Sequence, residues 1–370
     1  MAPFCISCMS DAEPLIDDNE PFVIILLNPK GGAGKAKKVM EILKDRENCN
    51  VIDILRFAEE KEEMNVRKEL ENIVQKNEKC RIVFGGGDGT ITWGFQILDE
   101  IGIMQPIAIL PLGTANEISK CTGWSNSFKL DHLKDFLYHV RHGPTFDFDI
   151  WNVSYSDNPG KDAKEPIPER RPSIMGAFLS FGTDAQIANK FHLSRQKKTK
   201  QPSIAESKIS YAKYDLVEMF RPFKSINKIV KLKVDGEEIQ FNKNYSCLQL
   251  LNINSMAGGV DFFGKGKSGA KDLMQDGQYT KPLFCDKKVE IIGETSVHHY
   301  NLCFLGLSRG RRLGQGNVVE IESQEAIPME VDGEPFLNPR GTVVVTSLGS
   351  RKMVLGNFRN ANTRRGIEMD

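Results

Sequence analysis

Two glycine-rich segments of this chain have the composition of turns that bind phosphate. Gly85 to Thr90 reads GGGDGT, and Leu110 to Thr114 reads LPLGT. Because glycine lets backbone N–H groups approach phosphate oxygens, and a following helix adds the positive end of its dipole, such turns suit a nucleotide. The residues with predicted phosphate contacts are Gly86, Gly87, Asp88, Gly89, Thr90, Gly113 and Thr114.

Asp88 is the charged residue of the first turn, and its carboxylate would hold Mg²⁺ directly or through water. Thr90 is predicted to cap the helix that follows. Thr114 to Glu117 has the spacing of a capping box, which gives Glu117 a structural role at the start of the next helix. The plainer alternative for GGGDGT is a tight strand–helix turn with a solvated Asp88.

A third glycine-rich turn, Asn28 to Lys35, does not meet the P-loop pattern. That pattern needs glycine where Pro29 stands and serine or threonine where Ala36 stands. All three turns follow apolar strands, and ligands of open α/β sheets bind beyond the carboxyl ends of the strands. Three such turns at one edge of a sheet favour a nucleotide site over three unrelated turns.

A carboxylate pair, Asp332 and Glu334, has the residue types needed for chemistry on a hydroxyl group. Phosphoryl transfer to an alcohol needs a base within reach of the hydroxyl and little other covalent chemistry. Glu334 is the predicted base, and Asp332 would orient it or the metal. The same letters, DGE, recur from Asp235 to Glu237, where Asp-Gly predicts a hairpin turn. The tripeptide alone does not separate the two copies.

The elements that carry these residues change in character near Phe146. Before it, strands, glycine-rich turns and helical patterns alternate, which predicts an α/β domain with an open parallel sheet. After it, many short β-prone segments predict a mostly β, sandwich-like domain with one helix, Lys208 to Phe220. The predicted strands include Phe22–Leu27, Val51–Phe57, Arg81–Phe84, Ile107–Leu110, Asp149–Tyr155, Ala177–Phe181, Ile229–Val234, Tyr245–Ile253, Lys288–Ile292, Tyr300–Leu305, Val318–Ile321 and Thr342–Thr346.

A chain of 370 residues is too long for one compact core, so we expect two domains. The expected units are a disordered tail at 1–20, a nucleotide-binding domain at 21–145, a β-rich domain at 146–341, and a segment at 342–370 that packs back on the first domain before a final tail.

Composition excludes several classes of protein. Lys plus Arg equals Asp plus Glu at 49 each, so no overall field attracts nucleic acid. No apolar run of about eighteen residues exists, and the first twenty residues do not form a secretory signal. Eight scattered cysteines show no disulfide framework, and the Cys5–Cys8 pair lacks partners for zinc, which indicates a reduced intracellular compartment.

Seven segments, in order, resemble the eukaryotic diacylglycerol kinase catalytic family from about Phe22 to Ser347. GGDGT and LPLGT are similar to its nucleotide loops, and Asn28-Pro29-Lys30 is similar to its first strand and loop. The other matches are FGTDA with Phe191-His192, NINSMAGG from Asn252, GRRLGQ from Gly310, and PMEVDGEP from Pro328.

The resemblance implies transfer of phosphate from ATP to diacylglycerol, giving phosphatidic acid, with the nucleotide in the cleft between the domains. It makes Glu334 the general base and Asp332 its partner, adds Asn28 and Lys30 to the nucleotide contacts, and gives Asp286 a place beside Mg²⁺. The sequence departs from the family at Ala115, Glu117 and Ile150, which stand where Gly, Asp and Arg are usual. A positive φ at Ala115 would cost about 1 kcal/mol.

The family's C1 and EF-hand regulatory modules have no counterpart pattern in this sequence. Because the implied substrate resides in a membrane, we expect a cytoplasmic protein with peripheral contact to an anionic membrane surface. Two cationic clusters are candidates for that contact, with Phe262-Phe263 beside the second as a possible apolar anchor. The clusters are Arg195, Lys197, Lys198 and Lys200, and then Lys265, Lys267 and Lys271.

Three other functions fit parts of the sequence. Sphingosine or ceramide kinases share the fold and a related GGDG loop, and nicotinamide-dinucleotide kinases also use GGDGT but lack the later motifs. An inactive lipid-binding adaptor is the alternative outside enzymology, favoured only by the altered turn at Ala115. The oligomeric state is not predicted by any of these patterns.

Overall fold

A computed structural model of the protein describes residues 20–44, 46–158, 171–196, 225–256, 260, 262 and 279–356. The predicted helix at Lys208 to Phe220, the second cationic cluster, Phe263, and Cys5 and Cys8 lie outside this part of the chain. Lys197 and the lysines that follow it in the first cluster do so too.

The N-terminal part is built on a parallel sheet with the strand order β2-β1-β3-β4. Its strands are β1 (Phe22–Leu27), β2 (Cys49–Asp53), β3 (Cys80–Gly86) and β4 (Ile107–Pro111). The helices are α1 (Lys35–Leu43), α2 (Glu63–Lys76), α3 (Asp88–Glu100), α4 (Glu117–Cys121) and α5 (Leu133–His142). Residues Val23 to Leu27 are fully buried, as expected of a strand covered on both faces.

Antiparallel strands extend this sheet beyond β4. They are β5 (Thr145–Asp157), β6 (Ile174–Met175), β8 (Val230–Val234), β9 (Glu237–Glu238), β13 (Val318–Ser323) and β16 (Gly341–Val354). β16 pairs with β5 along its length, and its Met353 pairs in parallel with Ile107 of β4. One hydrogen-bonded sheet therefore continues from the N-terminal strands into the later ones.

A second, antiparallel sheet has the order β12-β11-β10-β7-β14-β15. Its strands are β7 (Phe178–Gly182), β10 (Cys247–Leu251), β11 (Val289–Glu294), β12 (Arg311–Gly316), β14 (Ile327–Val331) and β15 (Glu334–Asn338). A core that includes Trp151, Phe181 and Leu232 joins the two sheets, with helices α6 (Thr183–Gln196) and α7 (Val297–Phe304) nearby in sequence. The predicted fold class, a parallel α/β part followed by a mostly β part, is confirmed.

Three local predictions were wrong. Tyr300–Leu305 was predicted as a strand but lies in α7, because the Ser296 hydroxyl accepts the His299 N–H and starts a helix there. The strand predicted over Val51–Phe57 ends at Asp53, whose carboxylate accepts the Leu55 N–H and begins a tight 3-10 turn. Helix α6 was not predicted, since its buried face is spread among polar residues.

Phe262, considered as an apolar membrane anchor, is fully buried in the hydrophobic core.

Candidate active site

The three glycine-rich turns meet at the carboxyl ends of β1, β3 and β4. The Asn28 N–H donates to the Gly85 carbonyl at 2.9 Å, which joins the first turn to the second. The N–H groups of Leu112 and Gly113 both donate to the Gly86 carbonyl, at 2.9 and 3.1 Å. The turns form one surface because adjacent parallel strands end at the same edge of the sheet.

The glycines of GGGDGT are required because a side chain would collide with neighbouring atoms, and not because their φ angles are positive. None of the glycines from Gly85 to Gly89 has a positive φ. A Cβ on Gly87 would lie 3.1 Å from the Cα of Gly113, and one on Gly86 would lie 2.5 Å from the Cβ of Thr90. The backbone of the second turn therefore lies against that of the third, with no room for side chains between them.

Asp88 is buried, and its carboxylate binds the start of α4. Its Oδ2 and Oδ1 accept the N–H groups of Glu117 and Ile118, each at 3.0 Å. Burial raises the pKa of Asp88, while these two N–H groups and the nearby Lys120 lower it. Asp88 thus caps a helix that begins after the third turn, so the plainer alternative of a solvated Asp88 is wrong.

The capping roles predicted from sequence were wrong. Thr90 is the third residue of α3, which begins after Gly87, and its hydroxyl accepts a hydrogen bond from the Asn28 side chain at 3.3 Å. Thr114 does not cap α4, because that helix begins after Asn116. Helix α4 is therefore capped by Asp88 of the second turn and not by the predicted Thr114.

Asn116 carries the positive φ of the third turn, at 55°, so the strain considered for Ala115 does not arise there. Its side chain exchanges hydrogen bonds with the backbone N–H and carbonyl of Gly113 and donates to the carbonyl of Asn126 at 2.8 Å. Asparagine tolerates this left-handed conformation better than most residues. Sequence reasoning missed Asn116, although an asparagine two residues after the LPLGT turn could have indicated a left-handed conformation there.

Both DGE tripeptides form the same turn. Asp332 and Gly333 have φ values of 48° and 85°, and Asp235 and Gly236 have 51° and 87°. Positive values at both central residues are those of a type I′ hairpin, for which Asp-Gly is a preferred sequence. The predicted hairpin at Asp235 is confirmed. The two turns differ in the residues that surround them and not in their backbone conformation.

The Asp332 carboxylate is fully buried and accepts four hydrogen bonds. The donors are the Thr92 hydroxyl at 2.5 Å and the N–H groups of Gly176, Ala177 and Phe178 at 2.6, 2.8 and 2.8 Å. Burial raises the pKa of Asp332 to about 6, and these donors oppose the rise. Asp332 therefore ties the DGE turn to α3, and sequence reasoning missed its partner Thr92.

Glu334 lies directly against the GGGDGT turn. A Cβ placed on Gly89 would fall 3.0 Å from the Cγ and 3.1 Å from the Cδ of Glu334, and nearer still to its Oε1. Glu334 is exposed, whereas the acidic residues around its turn are buried. The second copy differs here, since Glu237 lies in the short strand β9 and is exposed without such a contact to a glycine in the described chain.

The remaining predicted residues occupy different positions. Asn28 turns its Oδ1 toward the N–H of exposed Lys30 at 3.0 Å, and Thr114 is half-buried in the third turn. Asp286 accepts the Lys288 N–H at 3.0 Å, and burial, with a smaller effect of the Asp149 charge, raises the pKa of its carboxyl. The described contacts bring together the three turns and Glu334 but do not join Asp286 to Asp88.

Metal-binding geometry is not preformed in the described chain. No group of three or more His, Cys, Asp or Glu side chains is arranged there to hold an ion. The exposed Glu334 carboxylate beside the turn has the hard oxygen donors that Mg²⁺ prefers, so the donor chemistry fits once phosphate oxygens supply the other ligands.

Two family models match the chain, and together they include strands of both sheets. The model described as the diacylglycerol kinase catalytic domain matches residues 22–144, and the diacylglycerol kinase accessory domain matches residues 174–335. The chain belongs to the diacylglycerol kinase family. The first match contains all three glycine-rich turns, and the second contains the DGE turn of Glu334.

Relatives in this family are longer proteins. "Diacylglycerol kinase 2" of Arabidopsis thaliana is 31% identical over 75% of this chain and 39% of its own length. "Probable diacylglycerol kinase 3" of Caenorhabditis elegans is 26% identical over 95% of this chain and 45% of its own. "Diacylglycerol kinase theta" of Homo sapiens is 26% identical over 78% and 31%. The chain thus spans less than half the length of these relatives.

The fold is also that of solved bacterial structures. "A putative diacylglycerol kinase from Bacillus anthracis str. Sterne" superposes with a TM-score of 0.55 at 15% identity, covering 92% of this chain and 99% of that one. Among the described helices, none is both long and apolar enough to cross a membrane.

Proposed function

We propose that this chain transfers the γ-phosphate of ATP to the free hydroxyl of a 1,2-diacylglycerol, giving phosphatidic acid and ADP. The observation that carries the proposal is the contact between Glu334 and Gly89. It puts an exposed carboxylate beside a glycine-rich turn of nucleotide-binding type, in a chain of the diacylglycerol kinase family.

Glu334 would act as the general base. Its carboxylate takes the proton of the acceptor hydroxyl while that oxygen forms a bond to the γ-phosphorus, and the bond from the γ-phosphorus to the bridging oxygen breaks to release ADP. Glu334 is exposed at its turn and can be reached by a hydroxyl from outside, whereas Asp332 is fully buried with both oxygens accepting hydrogen bonds. Asp332 is then a positioning residue and does not touch the substrate.

The nucleotide would bind at the meeting point of the three turns. Its phosphates would contact the backbone from Gly86 to Thr90 and at Gly113 and Thr114, with Asn28 and Lys30 at the rim. Bound Mg²⁺ would neutralise charge on the phosphates, and Asp88, acting through water, and Asp286 are the carboxylates proposed to hold it. Asp88, through α4, would also hold the third turn in place.

The test is phosphate transfer from labelled ATP to diacylglycerol, sphingosine and ceramide in mixed micelles. We expect diacylglycerol to be phosphorylated, and Glu334→Gln to reduce kcat by about a hundredfold or more, as loss of a general base does. Glu237→Gln, the same change in the other DGE turn, is the matched control and should keep full activity.

Other outcomes identify the alternatives. Phosphorylation of sphingosine or ceramide in preference to diacylglycerol would assign the chain a different lipid substrate. ATP binding without turnover on any lipid would support the adaptor, and full activity in Glu334→Gln would put the base elsewhere.

A further inference from the structure

Three large apolar side chains are exposed together at the end of α7. Phe304, Leu305 and Leu307 are 41%, 67% and 75% exposed. We call these three residues the α7 tip. Single exposed apolar residues are ordinary on protein surfaces, but three within four positions at one turn form a contiguous patch.

The turn that carries the α7 tip is rigid. The Leu307 N–H donates to the Leu302 carbonyl at 2.8 Å and the Gly306 N–H to the Cys303 carbonyl at 2.9 Å, the two hydrogen bonds of a Schellman motif. Gly306 has the required positive φ, at 71°. In such motifs the residue after the glycine often packs back on the helix, yet Leu307 here points to solvent. Exposure of the α7 tip is therefore part of a fixed local structure.

The chain around the α7 tip is cationic. From Val297 to Gln315 it has three arginines and two histidines and no acidic residue, although the whole protein has zero net charge. The Arg312 side chain is buried in an ion pair with Glu290, whereas Arg311 is exposed. The His299 ring nitrogen Nε2 lies 2.8 Å from the Arg309 carbonyl, and this contact holds the segment before β12 beside α7.

The α7 tip lies on the same part of the molecule as the candidate site. Tyr300, one helical turn before Phe304, donates its hydroxyl to Asp184 at 2.7 Å, and its ring lies 6.0 Å from that of Phe304. Helix α6, which begins at Thr183, contacts both α7 and β15, the strand that begins at Glu334. One helix, α6, therefore links the helix of the tip to the strand that carries Glu334.

We propose that the α7 tip is a membrane-contact surface, which inserts Leu305 and Leu307 among lipid headgroups while Arg311 faces anionic lipid. An apolar tip edged by an exposed arginine has the composition of an interfacial anchor. Three side chains expose far less than the roughly 800 Å² that each partner of a stable protein complex buries, so a second copy of the chain does not fit this patch. This inference rests on the proposed function in one respect, that the acceptor lipid resides in a bilayer.

The experiment is cosedimentation of the full chain with vesicles of phosphatidylcholine containing phosphatidylserine, without nucleotide. Leu305→Asp and Leu307→Asp should each lower the vesicle partition coefficient about tenfold or more, because burial of a leucine is worth at least that factor. Leu307→Met should retain binding, and Arg311→Gln should reduce it about fivefold on anionic vesicles only.

Met64→Asp is the matched control, since Met64 is 62% exposed on α2 and distant in sequence from this region. It should leave the partition coefficient unchanged. Equal losses in Met64→Asp and Leu307→Asp would overturn the proposal, as would unchanged binding in the Leu305 and Leu307 variants. Dissociation of a dimer by Leu307→Asp, seen by light scattering, would also overturn it by making the patch an interface between copies.

A second readout separates this surface from the chemistry. Leu307→Asp should lose activity on diacylglycerol in vesicles but keep it on a monomeric short-chain diacylglycerol. If the wild type phosphorylates no lipid yet binds vesicles through Leu307, the membrane surface stands and the proposed activity fails. If Leu307→Asp loses both activities equally, the residue acts on the site and the membrane proposal fails.

Discussion

Gly89 is the residue at which the nucleotide turn and the proposed base meet. It lies in the first turn of α3, where glycine is a poor helix former, and its missing side chain makes room for the Glu334 carboxylate. The backbone conformation does not require glycine at this position, since the φ of Gly89 is not positive. We infer that this glycine is kept for the position of Glu334.

Gly89→Ala should therefore affect stability and activity in opposite directions. Alanine favours a helix over glycine by about 1 kcal/mol, so urea unfolding should show an unchanged or more stable protein. Displacement of Glu334 by about 1 Å should lower kcat on the order of a hundredfold. Combining Gly89→Ala with Glu334→Gln should cost no more than Glu334→Gln alone, and additive losses would contradict the inference.

At the scale of elements, short helix α4 depends on a cap from outside its own segment. Asp88, at the start of α3, accepts the first two N–H groups of α4, and Asn116 holds the turn between them. A shift of the Asp88 carboxylate would therefore also displace the backbone of Gly113 and Thr114 in the third turn. This gives Asp88 a structural role that a list of phosphate-loop residues does not reveal.

Asp88→Asn should lower the free energy of unfolding by about 1–2 kcal/mol, because an amide replaces one of the two acceptor oxygens with a donor. It should also raise KM for ATP through the third turn. Asp53→Asn is the control, since Asp53 caps the Leu55 N–H far along the chain from α4. Full recovery of Asp88→Asn activity by excess Mg²⁺, with unchanged stability, would instead identify Asp88 as a metal ligand.

At the scale of the whole molecule, β16 joins the first sheet to the later strands and carries further anchors. Its Arg351 is buried, with an ion pair to Asp99 of α3 and a hydrogen bond to the Ile103 carbonyl. The second sheet, by contrast, contains a fully buried acidic residue, Glu294, whose carboxylate has only the weak thiol donor of Cys247 beside it. Such a group affects the stability of the whole fold.

Burial, and then the nearby Asp184, raise the pKa of Glu294 from 4.5 to about 8. Between these values the unfolded chain loses this proton before the folded protein does, so the stability contribution present at low pH is lost as pH rises. Glu294→Gln does not titrate, and its stability relative to the wild type should increase by up to about 1.4 kcal/mol per pH unit in that window.

Urea unfolding at pH 5, 6.5 and 8 would measure this difference, with Glu237→Gln as an exposed control that should show no trend. A difference between Glu294→Gln and the wild type that stays constant with pH would contradict the raised pKa of the buried Glu294 carboxyl.

The sequence by itself determined the class of the fold, because apolar strand runs such as Phe22–Leu27 and the glycine-rich turns after them are local patterns. It also identified the hairpin turn at Asp235, since Asp-Gly has a strong local preference for a hairpin. The DGE tripeptide alone did not separate Glu334 from Glu237, and only the resemblance carried by the longer segment from Pro328 selected Glu334. Only the tertiary structure set Glu334 against Gly89, Asp332 against Thr92 and Asp88 against α4, since each of these contacts joins residues far apart in the chain and depends on how the sheets pack.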